Sequence, residues 1–312
     1  MSVQPDSAGT PCLGGLYVPL ITPFTADGVI AVSALDALAR SVLDAGASGL
    51  VALGTTGEAT TLAAAEKHQV IEVCASVCAE RGAQLIVGAG SSDTRASAAA
   101  LAGLTAWPRI TAALVPVPAY TRPSEAGVLA HFRELASASD VPIVVYHIPY
   151  RTARPLTAAT LRALARTPGI AGIKYATGAI DAEAIDLLGD PPPGFAVLAG
   201  DDVFVSPLLA LGAAGAILAS AHLGTSMFVR LCAAWATPDV PLARELGGAL
   251  APLSAAAFAE PNPSVIKGVL HARGLIPSPA VRLPLLPAAP ESVAEAVRRL
   301  DSLAVAGLTG RN

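Results

Sequence analysis

Short apolar, β-branched runs alternate along this chain with longer alanine-rich stretches. The runs are GLYVPLITPF from Gly15, GLVALG from Gly49, QLIVGAG from Gln84 and AALVPVP from Ala112. They continue with PIVVYHIP from Pro142, IAGIKYAT from Ile170, FAVLAGDD from Phe195 and AGAILAS from Ala214. The spacing is roughly 20 to 35 residues, the length of one βα unit. Runs that are apolar at nearly every position have both faces covered, as strands of parallel sheets do. Helix-compatible stretches lie between them, among them SALDALARSVLDAG from Ser33, AAAEKHQVIEVCASVCAERG from Ala63 and PSEAGVLAHFRELASA from Pro123. Several end in Gly, a usual helix stop. Eight such repeats predict an α/β fold, a (β/α)8 barrel. An open doubly wound sheet would carry a Gly-rich fingerprint after its first strand, and ITPFTADG is not one. Beyond Gly224 the chain is alanine-rich and helical, with a proline-studded break at IPSPAVRLPLLPAAP. The expected organisation is a flexible N-terminal segment at 1–13, a barrel at 14–235 and a C-terminal helical region at 236–312.

Composition narrows the class. Hydrophobic residues make up 53% and charged residues 14% of 312, which is ample for a core and unlike disorder. A net charge of −4 supplies no basic field for nucleic acid or anionic lipid. The N-terminal MSVQPDSAGTPC lacks a basic region followed by an apolar one, so the expected location is the cytoplasm. From Val203 to Val229 no charged residue occurs, long enough to span a bilayer. Pro207, Gly212, Gly215, His222 and Gly224 divide that stretch, which reads as a buried helix, strand and helix instead. Cys74 and Cys78 stand four apart on a helix, but no second Cys or His pair completes a zinc set. No metal site is expected.

The barrel converts sequence position into geometry, because active sites sit at the C-terminal ends of barrel strands. Several strands end there in polar residues: GTTGE, PAYTRP, YHIPYRT, KYATG and AGDD. The sixth run also carries a lysine. Only three of the 20 basic residues are lysines, Lys67, Lys174 and Lys267, and Lys174 is the one inside a strand. Side chains alternate along a strand, so Gly172, Lys174 and Ala176 share a face, as do Val144, Tyr146 and Ile148 on the fifth. Tyr146 can then meet Lys174 across adjacent strands. A desolvated lysine has a lowered pKa, and its neutral amine can attack a ketone to form a Schiff base. A tyrosine within hydrogen-bond reach can carry the protons. The other reading is a structural lysine paired with Asp201 or Asp202. GTTGE is either an ordinary turn or a small cradle for a carboxylate or phosphate. Arg151 is either a surface residue or a two-point carboxylate clamp. Lys67 and Lys267 read as solvated helix positions.

In order and spacing, GTTGEATTL, PAYTRPS, YHIPYRT, GIKYATG, LAGDD and EPNPSVIKGVL with VRLPLLP resemble the dihydrodipicolinate synthase and N-acetylneuraminate lyase family. The resemblance runs from about Gly15 to the last helix. It implies a barrel with a C-terminal helical extension, a homotetramer or dimer, that uses pyruvate through a lysine imine and needs no other cofactor. It makes Lys174 the imine lysine and Tyr146 its proton relay. On the same resemblance Thr55 would bind the pyruvate carboxylate and Thr56 would join the relay. Tyr120 would complete the relay from a neighbouring subunit. Arg151 would hold the carboxylate of the incoming aldehyde, and Gly200 and Ile217 would line the pocket.

Within the family, the Thr-Thr pair, Arg151 and the EPNP-to-RLP tail favour the synthase branch. That branch condenses pyruvate with aspartate 4-semialdehyde for lysine and diaminopimelate. The alternatives are a paralogous pyruvate aldolase or lyase with another acceptor and, more remotely, a non-catalytic barrel that binds a partner. Three positions depart from the synthase pattern: Tyr175 stands for Glu or Asp, and His147 and His222 stand for Asn. In lysine-sensitive relatives an interface site holds the effector with polar side chains. Here Ala64, Ala96 and Ala119 stand for histidine, glutamate and tyrosine, and Ser92 stands for asparagine. Lysine is therefore expected to inhibit weakly or not at all.

Overall fold

The computed structural model describes residues 11–308 apart from Pro108 and Pro238, so most of the segment expected to be flexible at 1–13 lies outside the described residues. The chain opens with β1 (Gly15–Pro19), α1 (Val32–Asp44), β2 (Gly49–Ala52), α2 (Ala64–Arg81), β3 (Gln84–Gly88) and α3 (Thr94–Gly103). It continues with β4 (Ile110–Pro116), α4 (Glu125–Ser137), β5 (Ile143–His147), α5 (Pro149–Thr152) and α6 (Ala158–Ala165). Then come β6 (Ile170–Tyr175), α7 (Ala182–Gly189), β7 (Ala196–Ala199), α8 (Val205–Ala210) and β8 (Gly215–Ile217). Helices α9 (Thr225–Ala236), α10 (Val240–Ala257), α11 (Ser264–Ala272) and α12 (Pro290–Val305) end the described chain. The strands close into a barrel in chain order, β1 to β8, and the registered pairs run parallel.

The strands are short and apolar, and β2, β5, β6 and β8 are buried at every position. Helix starts are marked by side-chain caps, each satisfying a backbone N–H that the first turn leaves without a partner. Asp93 accepts from Ala96, Ser124 from Gly127, Thr157 from Thr160 and Asp181 from Ala184. No described helix is long and apolar enough to cross a membrane. The uncharged stretch from Val203 instead holds α8, β8 and the start of α9.

By packing, the chain forms two compact units. One comprises Ile86–Ala216 with the segment that ends at Gly14; the other comprises Gly15–Leu85 with the chain from Ile217 onward. The first has a core of Val115, Phe132, Val144, Leu161, Ile173 and Leu198; the second buries Tyr17, Leu35, Val51, Ile71, Phe228, Leu246 and Ile266. Within the first unit, Val144, Val145, Tyr146 and His147 pair with Gly172, Ile173, Lys174 and Tyr175. Gly172 is required by β7, since a Cβ there would lie 2.4 Å from the Ala196 carbonyl oxygen. Close strand approach, rather than room for Lys174, is what calls for glycine at this position.

Candidate active site

In the first unit, β5 and β6 bring Tyr146 and Lys174 side by side. Both side chains are buried, and Lys174 Nζ lies 4.5 Å from the centroid of the Tyr146 ring. Burial pushes the Lys174 pKa down to about 8, while Asp202 and then Asp201 oppose that through their field. The stem of the lysine runs past Gly200, where a Cβ would come within 2.7 Å of Lys174 Cγ and 2.9 Å of Cε. Gly200 is thus the glycine that leaves room for this side chain. Asp201, next in the chain, accepts from the Gly178 N–H, and burial raises its pKa above the usual carboxylate range. That bond ties the end of β7 to the loop leaving β6.

Arg151 sits on α5, the single turn that follows β5. Its Nε donates to the Tyr150 hydroxyl at 3.1 Å, and its guanidinium carbon lies 5.0 Å from the Tyr150 ring centroid. Arg151 is exposed. Tyr120 does not join Lys174 within this chain: it is 94% exposed and its φ of 65° is left-handed. A non-glycine residue there is uncommon, and such strain concentrates at functional loops. The loop is held by backbone contacts on both sides. Ala119 O accepts from Ser92 Oγ at 3.0 Å, Arg122 Nε donates to Ala153 O at 3.1 Å, and an Arg154 guanidinium N–H donates to Arg122 O at 3.2 Å.

Two of the departures from the synthase pattern form a pair. His147 and Tyr175 are register partners, their ring centroids 5.4 Å apart, on the face opposite Tyr146 and Lys174. Tyr175 donates to Asp181 Oδ1 at 2.6 Å, the same oxygen that caps α7, and burial lowers the His147 pKa to about 4. The two residues therefore pack the sheet against its helices and leave the lysine's face unchanged. In the second unit, His222 is buried, burial lowers its pKa to about 4, and its Nε2 lies 3.2 Å from both the Ile21 N–H, from which one tautomer accepts, and the Pro19 carbonyl oxygen, to which the other donates. An asparagine carbonyl could accept the same bond.

The GTTGE turn belongs to the second unit. Left-handed residues bracket it, Leu53 at φ 55° and Glu58 at φ 54°, and Thr55–Gly57 form one 3₁₀ turn between them. The N–H groups of Gly57 and Glu58 are spent inside the turn on Gly54 O and Thr55 O. Thr55 is exposed and Thr56 is buried, its Oγ1 accepting from Asn262 Nδ2 at 2.9 Å. Ile217, on β8, is fully buried.

The expectation that Lys267 is solvated is wrong. Its side chain is fully buried on α11, with Nζ 2.5 Å from Glu58 Oε1, 2.8 Å from Ala280 O and 4.1 Å from the Phe24 ring centroid. Glu58 Oε2 accepts from the Arg282 N–H at 2.8 Å. The Arg282 guanidinium then grips Glu66 with two N–H groups and donates to Thr61 O and Gly28 O, both at 2.9 Å. That grip, with help from the Ala63 N–H, holds the Glu66 pKa down at about 2. An ionic cluster thus ties the GTTGE turn to α11 and to the proline-rich segment after it. Neither Glu58 nor Arg282 was singled out from sequence. Lys67, on α2, is partly exposed.

Among the described residues no three His, Cys, Asp or Glu side chains group as metal ligands, and Cys74, Cys78 and Cys232 are buried free thiols.

The Dihydrodipicolinate synthetase family model matches residues 12–303. A curated relative, the 4-hydroxy-tetrahydrodipicolinate synthase of Neisseria meningitidis serogroup B, is 38% identical over 275 residues, covering 88% of this chain and 93% of the relative. The solved 4-hydroxy-tetrahydrodipicolinate synthase of Methylacidiphilum fumariolicum SolV superposes with a TM-score of 0.89 at 29% identity, covering 96% of this chain and all of that one. The chloride-inhibited dihydrodipicolinate synthase of Acinetobacter baumannii, solved with pyruvate, gives a TM-score of 0.89 at 32% identity, covering 94% of this chain and 99% of that one. With a family match over nearly its whole length, and relatives alike in sequence and in fold, the chain belongs to the dihydrodipicolinate synthetase family.

Proposed function

We propose that this protein is a lysine-imine enzyme that condenses pyruvate with aspartate 4-semialdehyde, the reaction of 4-hydroxy-tetrahydrodipicolinate synthases. The observation that carries the reading is a desolvated Lys174 beside Tyr146, in a chain of this family. With a pKa of about 8, about a tenth of Lys174 is neutral amine at pH 7. That is about 300-fold more than an ordinary lysine supplies.

The amine attacks C2 of pyruvate, and water leaves to give the protonated imine. Loss of a C3 proton forms the enamine, whose C3 bonds to the aldehyde carbon while the aldehyde oxygen takes up a proton. Attack by the acceptor's own amino group on the imine carbon frees Lys174 and closes the ring. Each step moves a proton, and the Tyr146 phenol is the group beside Lys174 suited to carry it. No electron acceptor or metal enters this balance, and the proposed enzyme uses no cofactor beyond the covalent imine. Arg151, exposed on the turn that follows β5, takes the role of clamp for the acceptor's carboxylate. Following the family resemblance, Thr55 holds the pyruvate carboxylate and Thr56 extends the proton relay, with Gly200 and Ile217 as lining residues. Tyr120, exposed on a strained loop, is assigned to the site of a second copy in a cytoplasmic dimer or tetramer.

Turnover with pyruvate and a panel of aldehydes tests the reading. Aspartate 4-semialdehyde should be consumed far faster than neutral sugar aldehydes. Equal or faster turnover of the neutral aldehydes would place the enzyme among pyruvate aldolases of another acceptor class.

A further inference from the structure

Arg151, the clamp assigned to the acceptor's carboxylate, is held by its own neighbour in the chain. Its Nε donates to the Tyr150 hydroxyl at 3.1 Å, and its guanidinium carbon lies 5.0 Å from the centroid of the same ring. Two contacts thus fix one planar group. We propose that Tyr150 is the positioning residue for Arg151: by engaging Nε it leaves the two Nη nitrogens as the pair that grips a carboxylate, and so sets a preference for acidic aldehydes. The proposal rests on the reading above that Arg151 binds the acceptor's carboxylate.

A guanidinium offers a carboxylate two forks, one made by both Nη nitrogens and one by Nε with a neighbouring Nη. The Tyr150 hydroxyl occupies the Nε hydrogen, so only the first fork stays whole. Among the described residues that bond is the one hydrogen bond the Arg151 side chain makes, which keeps both Nη groups for a ligand. An arginine loses rotamer freedom when it binds, and one already stacked and bonded has less to lose. The backbone beneath the pair is fixed as well. Proline opens α5, and the N–H groups of Arg151 and Thr152 both close on Ile148 O, at 3.0 and 3.1 Å. The buried Thr152 adds its hydroxyl to the same oxygen at 3.2 Å. Tyr150 itself is 62% exposed, so its ring is not there to fill the core. The pair also stands within electrostatic reach of the reactive amine. After burial, Asp202 and Asp201, the groups whose charge Lys174 feels are Tyr150 and Arg151.

Tyr150→Phe removes the acceptor for Nε and keeps the ring. The apparent KM for aspartate 4-semialdehyde should rise at least about threefold, a modest loss that suits an exposed bond to a charged group. The KM for pyruvate and kcat should stay within about twofold, because only the acceptor's clamp is disturbed. Tyr150→Ala removes the ring too and should raise the acceptor KM further. In an Arg151→Ala background Tyr150→Phe should add nothing, since the group it acts through is gone. A role in packing predicts instead that Phe behaves as wild type and that any loss falls on both substrates. A rise of less than about threefold in the acceptor KM of Tyr150→Phe overturns the proposal. So does an equal rise for pyruvate, or the same acceptor effect in the absence of the Arg151 guanidinium. Wild-type turnover of aspartate 4-semialdehyde with an unaffected Tyr150→Phe variant removes only this inference. A wild-type enzyme that does not consume that aldehyde removes the proposed function and this inference with it.

Discussion

Replacing Lys267 with Met keeps the stem of the side chain and deletes the ammonium. Glu58 Oε1 then loses its partner at 2.5 Å inside a site where both side chains are essentially sealed from water. Its other oxygen keeps the Arg282 N–H, but the charge has lost its counter-ion. Breaking a buried pair from one side costs about 3–5 kcal/mol, because the remaining charge stays desolvated. For a chain of this size each kcal/mol moves the melting temperature by about 2–4 °C, so Lys267→Met should melt about 6–20 °C below wild type. The pair itself carries a desolvation cost, visible in the burial-driven lowering of the Lys267 pKa to about 8. Removing both charges should therefore cost much less than removing one. Glu58→Gln with Lys267→Met keeps an acceptor for the Arg282 N–H and should recover at least half of the loss. Thermal unfolding followed by circular dichroism measures both variants against wild type. A single variant melting within 2 °C of wild type, or a double variant worse than Lys267→Met, would refute the argument.

Tyr146→Phe should keep the imine-forming lysine but slow turnover about 10²-fold or more, if the phenol carries protons; activity within threefold of wild type would reduce Tyr146 to packing. Gly200→Ala should fold, since residue 200 is not among those with left-handed φ, yet its methyl would come within 2.7 Å of Lys174 Cγ. Turnover should fall at least tenfold with the melting temperature nearly unchanged, and full activity would show that the lysine stem moves freely. Lysine at millimolar concentration should leave the initial rate unchanged, because methyl groups at Ala64, Ala96 and Ala119 cannot accept the charge-assisted bonds that an amino acid requires. Half-inhibition at or below about 1 mM, a binding free energy near −4 kcal/mol, would contradict that.

The barrel was legible because parallel strands covered on both faces leave continuous apolar runs, and eight of these survive in the chain as written. Strand alternation also placed Tyr146 and Lys174 on facing positions, since a period of two needs no tertiary information. Lys267 was misread for an identifiable reason. A single lysine in a helix ordinarily marks a solvated face, but SVIKGVL has no such face, and every residue from Ser264 to Leu270 is buried. Absence of a polar stripe around Lys267 was the signal that it had to be paired. Its partner Glu58 lies 209 residues away, and only the fold brings the two together. The glycines show the same limit. Gly172 and Gly200 both neighbour the lysine in sequence or in space, yet one answers to the Ala196 carbonyl and the other to the lysine stem. His147 and Tyr175, read singly as departures, make sense only as register partners on the face away from Lys174.

The central claim is that Lys174, made reactive by burial, takes pyruvate as an imine. Borohydride trapping with pyruvate, followed by peptide mass mapping, reads the position of the adduct directly. Repeating the trap across pH reads the amine. Only the neutral form attacks, so the initial rate of imine formation should rise about tenfold per pH unit and flatten near the lowered pKa of about 8. An adduct confined to Lys174 with that profile is the result the account predicts. An adduct on Lys67 or Lys267, no adduct at all, or a rate that climbs unbroken to pH 10 would contradict it.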